Sequence, residues 1–507
     1  MRRWGSAQFA TPGCVLTLIA SCVIPMPTAA ADPGSTGYEM NWHSCDEWVD
    51  IAKVPTAQCT TVSVPVQWSQ ADDPQTPRAD LAVMRVPATG KRIGILISNP
   101  GGPGTSAVDV MARFAPKLAQ TEIGKRFDLI AIDPRGIGHS SPQLRCQTDA
   151  EIDEDRREPD VDYSPAGVQR IEDHYRQIGQ LCLDRMGAAF LAAMSTDDSA
   201  RDMDAVRAAL GEEQINFLGY SYGSRLGTSY AGHFPDRVRA MMLDGVVDQN
   251  ADPLADDRIQ AAGFQQAFDA YAADCATSAQ CPLGTDPARF VTRFRQLVDP
   301  LVTKPAATAD PRGLSYGDAA AAVDEALYSD DDWDTLTEGL DALAHGRNAD
   351  VLLQLADDNL NRDPDGHYSN LLDVFNAVHC VDTIFPSDPA PWIDNDRQIR
   401  ELAPFESYGQ FTGDAPRPQC VFWPVAATTT AAPVTSPGPG KMVVVSTTGD
   451  PATPYQVGVE VAAALGAPLI TYRGAQHTVA FSGVPCVDSA LTAFFVDGVQ
   501  PPADLQC

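Results

Sequence analysis

The feature that most constrains the fold is a short segment, residues 214–233, that passes from an apolar run into a helix of small residues. Residues 215–218, Ile-Asn-Phe-Leu, are mostly apolar and predict a buried strand. The next five residues, 219–223, read Gly-Tyr-Ser-Tyr-Gly. In so sharp a strand-to-helix turn the residues two positions before and after the serine must be small, and the turn exposes the hydroxyl at a helix N-terminus. Ser221 is therefore a candidate nucleophile, and an ordinary Gly/Ser turn is the alternative interpretation.

The N-terminus has the pattern of a secretory signal peptide. Arg2 and Arg3 precede an apolar run over residues 14–24, and the tripeptide at 29–31 is Ala-Ala-Ala, an A-x-A cleavage signature. We therefore expect residues 1–31 to be removed on export.

A second interpretation of the same segment is a lipid anchor. Residues 19–22 read Ile-Ala-Ser-Cys, which resembles a bacterial lipobox in which Cys22 would be acylated. Beyond this segment we find no run of about 18 apolar residues, so the sequence predicts no transmembrane helix. We expect a secreted or cell-envelope protein, and the sequence gives no indication of its oligomeric state.

Ten cysteines remain after the predicted signal peptide, an even number that favours disulfides in an exported chain. Pairing each with its neighbour in sequence gives Cys45 with Cys59, Cys146 with Cys182, Cys275 with Cys281, Cys380 with Cys420, and Cys486 with Cys507. The connectivity itself stays open. A metal site is the competing interpretation, but the chain has neither a C-x-x-C pair nor an H-E-x-x-H motif, so we predict no metal and no cofactor.

The chain is strongly acidic, with a formal charge of −31 at pH 7. Residues 1–31 contain two arginines and no acid, so their removal takes the charge to −33. Such a surface repels nucleic acid and anionic membranes, which excludes them as expected partners. It gives a weak indication of cationic ligands, such as the free N-termini of peptides.

The first half of the chain predicts a sheet that becomes parallel. Residues 60–68 and 79–86 alternate apolar with polar side chains, as in antiparallel strands, whereas residues 93–98 are apolar up to the final Ser98, as in a strand buried on both faces. That strand runs into a loop, Asn-Pro-Gly-Gly-Pro-Gly. Because glycine lets backbone amides approach a ligand closely, the amide of Gly102 is a candidate oxyanion-hole donor together with that of Tyr222; a plain turn is the alternative.

Two further strands continue the pattern. Residues 127–133 form a buried strand whose glycine-rich loop contains His139, and a helix over 196–210 leads into the strand before Ser221. His139 precedes the serine within a turn, so we favour a structural role for it over that of a base. Residues 238–243 form the next strand, which ends at Asp244. Strands alternating with helices predict a doubly wound α/β fold.

The middle of the chain loses this alternation. The 507 residues, 44% of them hydrophobic, are sufficient for a core and an inserted domain. Helical segments are predicted at 257–274, 286–301, 317–328, 331–345, 349–360 and 369–379. We therefore predict a core of residues 32–248 and 429–507, and a helical cap, residues 249–428, that covers the active site.

The last part of the chain supplies an acid and a base. A buried strand over residues 442–446 leads to Asp450, and a strand over residues 467–472 leads to His477. The order Ser221, Asp450, His477 is that of one known arrangement of the Ser-His-Asp triad. In it His477 is the general base and Asp450 orients the imidazole. Asp244 is the rival acid because it also ends a strand, and we favour Asp450 because its turn directly precedes the histidine strand.

With these residues in place, the chain from residue 42 to 507 resembles the secreted tripeptidyl-aminopeptidase and carboxylesterase-type serine proteases of the proline-iminopeptidase-like α/β-hydrolases. The motifs that carry the resemblance are Asn99-Pro100-Gly101-Gly102-Pro103-Gly104, Asp133-Pro134-Arg135-Gly136, Gly219-Tyr220-Ser221-Tyr222-Gly223-Ser224, Cys380 with Cys420 and Trp423-Pro424, and Gly449-Asp450 before Gln476-His477.

The resemblance implies an exported serine hydrolase that removes short peptides, or single residues, from free N-termini. Some members also hydrolyse short-chain esters. Iminopeptidase members typically open the glycine-rich loop with histidine, where this chain has Asn99. No motif identifies a carboxylate that binds the substrate amine. The acids of the predicted cap that we considered, each with a solvated helix face as the alternative, are Asp324, Glu325, Asp331 and Asp382.

Three functions are compatible with these features. An N-terminal exopeptidase needs carboxylates in the cap, which its acidic sequence permits. An esterase or lipase would favour an open apolar acyl pocket, and the sequence shows no obvious apolar lid. A non-catalytic binding protein would be expected to lack a triad member, and none is missing. We therefore expect a serine hydrolase acting on short peptides, with a short-chain carboxylesterase as the alternative and a peptide or small ester as the binding partner.

Overall fold

The computed structural model describes residues 40–427 and 435–507. The predicted signal peptide, residues 1–31, and the lipobox with Cys22 lie outside these residues. Among the residues described, no helix is both long and apolar enough to cross a membrane.

Ten strands form one sheet in the part of the chain that the structure describes. They are β1 (His43–Ser44), β2 (Gln58–Pro65), β3 (Arg78–Val86), β4 (Gly94–Asn99), β5 (Phe127–Ile132), β6 (Ile215–Tyr220), β7 (Val238–Asp244), β8 (Met442–Thr447), β9 (Leu469–Tyr472) and β10 (Asp504–Gln506). Their spatial order is β1-β2-β3-β5-β4-β6-β7-β8-β9-β10. The β1–β2, β2–β3 and β3–β5 pairs are antiparallel and the remaining pairs are parallel, which confirms the predicted mostly parallel sheet.

Sixteen α-helices accompany the sheet within the described residues. They are α1 (Ala107–Leu118), α2 (Glu122–Arg126), α3 (Asp149–Asp155), α4 (Pro165–Met186), α5 (Ala188–Ala192), α6 (Thr196–Ala209), α7 (Tyr222–His233), α8 (Pro253–Cys275), α9 (Phe290–Val298), α10 (Tyr316–Leu327), α11 (Trp333–Ala344), α12 (Asp350–Asn359), α13 (Leu371–Asp382), α14 (Pro389–Leu402), α15 (Tyr455–Leu465) and α16 (Pro485–Asp497). Short 3₁₀ turns lie at Trp68–Gln70, Pro235–Arg237, Pro287–Arg289, Asp299–Val302, Asp330–Asp332 and Gln419–Phe422.

The central strands are mostly apolar because both of their faces are covered. Ile95 and Ile97 of β4 pack into one hydrophobic cluster, while Leu96 between them packs into a second cluster. Successive side chains of a strand point to opposite faces, so the two clusters lie on the two sides of the sheet. The mostly apolar run at 93–98 has this physical cause.

Helices α8 to α14 lie between β7 and β8 in the chain, where the sequence predicts the cap. They contain a hydrophobic cluster of their own, in which the rings of Phe268 and Phe405 stack 4.6 Å apart. Helix α13 differs, because Val374 and Ala377 pack into the cluster of one sheet face. The domain bounds 249–428 stay a prediction.

Some elements differ from the sequence prediction. Helix α14 was not predicted; only Trp392 and Asn395 are buried in it, which leaves little apolar periodicity. The predicted helix at 286–301 is the shorter α9 with a 3₁₀ turn on each side. Strand β10 was also not predicted, and with three residues it is too short to show a period of two.

Five disulfides are present in the described residues. Each joins cysteines that are neighbours in the sequence. The pairs are Cys45–Cys59, Cys146–Cys182, Cys275–Cys281, Cys380–Cys420 and Cys486–Cys507. The first lies beside the antiparallel edge of the sheet, and the last fixes the C-terminus next to β10.

Candidate active site

The predicted sharp turn lies at the carboxyl end of β6. Ser221 is the single residue between β6 and α7, and its backbone has φ 54° and ψ −127°, which a non-glycine residue adopts only under strain. A Cβ on Gly219 would lie 2.6 Å from the carbonyl oxygen of Gly223, and a Cβ on Gly223 would lie 2.5 Å from that of Asn99. Neither position has room for a side chain, so both residues must be glycine. The serine is thereby held at the N-terminus of α7.

The loop after β4 lies directly against this turn. Gly101 has φ 104°, and a Cβ on it would lie 2.8 Å from the Cβ of Ser221. The side chain of Asn99 accepts a hydrogen bond from the Gly101 amide at 3.1 Å, so it braces the loop. Within the described residues no acceptor engages the amide of Gly102 or of Tyr222. These two amides, which the sequence proposes as the oxyanion hole, can therefore donate to a ligand.

Asp450 and His477 are in direct contact. The Nδ1 atom of His477 lies 2.9 Å from each carboxylate oxygen of Asp450. The amides of Ala452 and Thr453 donate to Oδ1 of Asp450 at 3.0 and 2.8 Å, and the Thr453 hydroxyl donates to Oδ2 at 2.9 Å. The carboxylate is thereby fixed in orientation before it meets the imidazole.

The surroundings of His477 change its pKa. Burial acts to lower the pKa of the imidazole, but the charge and hydrogen bond of Asp450, with the charge of Asp244, outweigh burial and raise it above the ordinary value of 6.5. The carboxylates thus stabilise the imidazolium, the form that a general base adopts after it takes a proton.

Asp244, the rival acid, has a different role in the geometry. Its Oδ2 atom accepts hydrogen bonds from the amides of Val479 and Ala480, each at 2.7 Å. It therefore binds the backbone just after His477, whereas Asp450 binds the imidazole.

His139 belongs to another set of contacts. Its Nε2 atom lies 3.0 Å from a carboxylate oxygen of Asp109, and its ring stacks on Trp48 at 5.5 Å. Neither partner belongs to the candidate triad.

In the described residues no group of three or more His, Cys, Asp or Glu side chains is placed to hold a metal ion.

The helical segment reaches the histidine loop at the end of α10. The carbonyl oxygen of Tyr328 accepts a hydrogen bond from the His477 amide at 2.8 Å, and the Tyr328 ring meets the imidazole edge-on at 5.3 Å. Ser329 forms a β-bridge with Gln476. At the glycine-rich loop, a Cβ on Gly104 would lie 2.7 Å from the carbonyl oxygen of Leu371. Residues of the predicted cap therefore touch the site on two sides.

Three of these residues were missed by the sequence reasoning. Thr453 was detectable, because it lies in the turn after Asp450, where an aspartate side chain commonly accepts a hydrogen bond from the backbone two residues on. Tyr328 and Leu371 carry no local signal, since only the packing of the helical segment places them at the site.

The cap acids divide into two groups. Asp382 accepts hydrogen bonds from Thr196 and lies 3.4 Å from the guanidinium of Arg225, and Asp331 is exposed. Asp324 and Glu325 lie one turn before Tyr328 on α10. Burial raises the pKa of the Tyr328 hydroxyl, and the negative charges of Asp324, Glu325 and Asp450 raise it further. Tyr328 therefore lies between these cap acids and the triad.

Among the described residues, no cationic side chain acts on the pKa of Asp324 or of the nearby Glu406. Burial, with the charge of Glu325, raises the pKa of Asp324 to about 7. Burial, with the charges of Asp324 and Asp257, raises the pKa of Glu406 to about 8. Asp324 is half-buried, whereas Glu406 is exposed at the surface. From the sequence, Asp324 was considered as a cap acid without an assigned role, and Glu406 was not singled out.

The arrangement has the parts needed for acyl transfer. A serine at a helix N-terminus, an Asp-His pair and two unengaged amides would supply a nucleophile, a general base and an oxyanion hole. The chemistry serves peptides and esters equally, since both pass through a tetrahedral oxyanion.

Comparison with known proteins agrees with this chemistry. A family model described as alpha/beta hydrolase fold matches residues 94–484. Carboxylesterase B from Mycobacterium tuberculosis H37Rv is 56% identical over 484 residues, 95% of this chain and 92% of that protein. Serine protease Hip1 from the same strain is 48% identical over 479 residues, 93% and 91% of the two chains. Tripeptidyl aminopeptidase from Streptomyces lividans is 30% identical over 492 residues, 94% and 88% of the two chains.

The family model spans well over half of the chain, and these three relatives align along nearly its whole length. The resemblance inferred from the motifs is thereby confirmed: the chain is a serine hydrolase that belongs to the α/β-hydrolase family.

Proposed function

We propose that this serine hydrolase removes short peptides, such as tripeptides, from free N-termini through an acyl-enzyme formed on Ser221. The observation that carries the proposal is the contact of both Asp450 oxygens with Nδ1 of His477, at 2.9 Å each. Because Nδ1 is bound to the carboxylate, Nε2 is the nitrogen left to exchange a proton with Ser221.

In the proposed reaction the Ser221 hydroxyl attacks the scissile carbonyl carbon and its proton passes to His477. The amides of Gly102 and Tyr222 donate to the resulting oxyanion. The carbon–nitrogen bond then breaks, and His477 returns the proton to the leaving amine. Water attacks the acyl-serine in the same way, with His477 again as base, and releases the peptide and the free serine.

The choice of a free N-terminus rests on the cap acids. Burial raises the pKa values of Asp324 and Glu406; the charge of Glu325 raises that of Asp324 further, and the charges of Asp324 and Asp257 raise that of Glu406 further. A substrate ammonium placed between them would relieve that repulsion and restore the charged form of both groups. Their neighbour Tyr328 contacts His477, so the amine of a short peptide and its scissile bond fall on one continuous surface.

The test measures how fast the wild-type protein hydrolyses three compounds. They are an Ala-Ala-Pro-type chromogenic amide with a free N-terminus, the same amide with an acylated N-terminus, and a short-chain aryl ester. We expect the free-amine amide to be cleaved with much higher kcat/KM than its acylated twin. Equal cleavage of the two amides would contradict the aminopeptidase proposal while leaving the triad intact.

A short-chain carboxylesterase is the second candidate, favoured by the 56% identity to a protein named carboxylesterase B. Cleavage of the ester with neither amide cleaved would support this alternative and would make the cap acids a solvated surface.

The protein is further proposed to act outside the cytoplasm. The five disulfides suit an oxidising compartment. Mass spectrometry of the N-terminus of the native protein separates the two forms of export. A chain that begins at residue 32 supports signal-peptide cleavage, and one that begins at a lipid-modified Cys22 supports an anchor.

A further inference from the structure

Asp244 is a buried carboxyl group that lies outside the candidate triad. It ends β7, its side chain is fully inaccessible to solvent, and its Oδ1 atom has no hydrogen-bond partner among the described residues. Burying a carboxyl group in this way is costly unless its contacts matter to the protein. The contacts that it does make all lie next to candidate catalytic residues.

One contact is with the nucleophile. The backbone carbonyl of Asp244 accepts a hydrogen bond from the Ser221 amide at 2.9 Å. Ser221 has a strained backbone, and this bond is one of the restraints that hold it there.

The other contacts are with the loop that carries the base. The amides of Val479 and Ala480 donate to Oδ2 of Asp244 at 2.7 Å each, as stated above. This loop is itself strained, since Thr478 and Phe481 are non-glycine residues with φ of 61° and 59°. A carboxylate that accepts two amides from successive residues can fix such a conformation, because losing it would leave two buried donors unpaired.

A parallel link joins the same two segments. The hydroxyl of Tyr220, the residue before Ser221, donates to the carbonyl oxygen of Ala480 at 3.2 Å. The carbonyl oxygen of Ala480 thus binds the nucleophile turn and its amide binds Asp244. Asp244 is the residue that contacts both segments at once.

We propose that Asp244 is a positioning residue for the hydrolase reaction: its carbonyl holds Ser221, its carboxylate holds the loop after His477, and together they fix the distance between nucleophile and base. This inference rests on the proposed roles of Ser221 and His477. It assigns Asp244 no contact with the substrate and no exchange of protons.

The experiment compares Asp244→Asn and Asp244→Ala with a matched variant, Asp488→Asn. Asp488 also accepts two amides of this loop, from Phe481 and Gly483 at 2.8 and 3.0 Å, but the residues it binds are further from His477. The readouts are kcat and KM on the best substrate, the thermal midpoint, and the pH dependence of kcat/KM.

For Asp244→Asn we expect kcat to fall by about 100-fold while KM changes little, because displacing a catalytic group by about 1 Å has such an effect on the rate. Asp488→Asn should lower kcat much less at a similar loss of thermal stability. Asp244→Ala should lose more activity than Asp244→Asn, whose side-chain oxygen still accepts an amide.

The pH profile supplies a readout that loop stability alone would not change. The groups facing His477 are Asp450, Asp244 and the Tyr328 ring, and the negative charge of Asp244 contributes to the raised pKa of His477. Neutralising it should move the acid limb of kcat/KM to lower pH. Asp488→Asn should leave that limb unchanged.

A kcat for folded Asp244→Asn equal to that of Asp488→Asn, with an unmoved acid limb, would overturn the proposal. If Asp244→Ala does not fold, the Asn variant alone decides. The test distinguishes a failure of the proposed triad from a failure of the positioning role. If the triad assignment is wrong, Ser221→Ala remains active. If Ser221→Ala is inactive while Asp244→Asn is fully active, only the positioning role is refuted.

Discussion

The core and the cap hold their carboxylates in opposite ways. In the core, Asp450 accepts hydrogen bonds from two amides and a hydroxyl and contacts the imidazole of His477. In the cap, no cationic side chain among the described residues acts on the pKa of Asp324 or Glu406, and their pKa values are raised to about 7 and about 8. In the proposed function, the core side therefore needs no ligand to fix its carboxylate, whereas a substrate ammonium would stabilise the charged form of the cap acids.

Removing the nucleophile gives the largest expected effect and tests the core side. Ser221→Ala should reduce kcat by about 10⁶-fold, since deleting the nucleophile of a triad removes the covalent route. The strained turn should survive, and the thermal midpoint should stay close to that of wild type. Ser436→Ala, an exposed serine, is the control and should keep full activity. Substantial hydrolysis by purified Ser221→Ala would refute the assignment.

Neutralising the acid should have the next largest effect. Asp450→Asn should lower kcat by about 10⁴-fold, because an amide favours the wrong imidazole tautomer at His477. The variant should also lose the raised pKa of His477, which arises largely from the charge and hydrogen bond of Asp450. Its residual kcat/KM should therefore fall at lower pH than that of wild type. An acid limb at the wild-type position would show that another group sets it.

A smaller effect should follow from crowding the turn. Gly101→Ala places a methyl group 2.8 Å from the Cβ of Ser221 at a φ of 104°, so we expect a loss of about 100-fold in kcat together with lower stability. Gly211→Ala is the matched control, since its φ is 72° and nothing lies within 4 Å of the added methyl. It should lower the thermal midpoint through backbone strain alone and leave kcat unchanged. Equal kcat losses in both variants would contradict a specific role for the glycine-rich loop.

The contrast between the core side and the cap side of the site also explains which parts of the structure the sequence could predict. The sheet, the turn at Ser221 and the strand-end positions of Asp450 and His477 are local consequences of apolar runs and glycine positions, and the structure places them as expected. The preference for Asp450 over Asp244 came from position in the chain, and the geometry gives it a reason: Asp450 contacts the imidazole, while Asp244 contacts backbone amides.

The cap side of the site was beyond local reasoning. Asp324 and Glu406 are 82 positions apart in the sequence, and neither lies in a motif. Their proximity arises from the packing of α10 against the segments around Phe405, which a single sequence does not encode in any short pattern. Helix α14 was missed for a related reason, because a helix that buries two residues has too weak a periodicity to be recognised.

The smallest expected effect is on substrate binding by the cap. Asp324→Asn and Glu406→Gln should each raise KM for the free-amine peptide by about tenfold, equivalent to about 1.4 kcal/mol, with kcat little changed. KM for the aryl ester should not change, because the ester has no ammonium group. Asp331→Asn, which removes an exposed acid of the same segment, is the control and should behave as wild type. Unchanged KM in both test variants would place the amine site elsewhere.

The pH dependence distinguishes the two sides of the site in wild-type protein. For the ester, kcat/KM should fall only as His477 is protonated, at a pH above the ordinary histidine value of 6.5, because the pKa of His477 is raised. For the free-amine peptide a further loss should add to this one as the cap acids are protonated. The raised pKa values of about 7 and about 8 mean that Asp324 and Glu406 lose their charge as the pH falls through that range. Above about pH 8 the peptide amine itself loses its proton, so kcat/KM for the peptide should peak in a narrow pH range.

In a double variant, Asp324→Asn with Glu406→Gln, the pH profile for the peptide should become that of the ester. Identical profiles for the two substrates in wild type would show that the cap acids do not bind the amine.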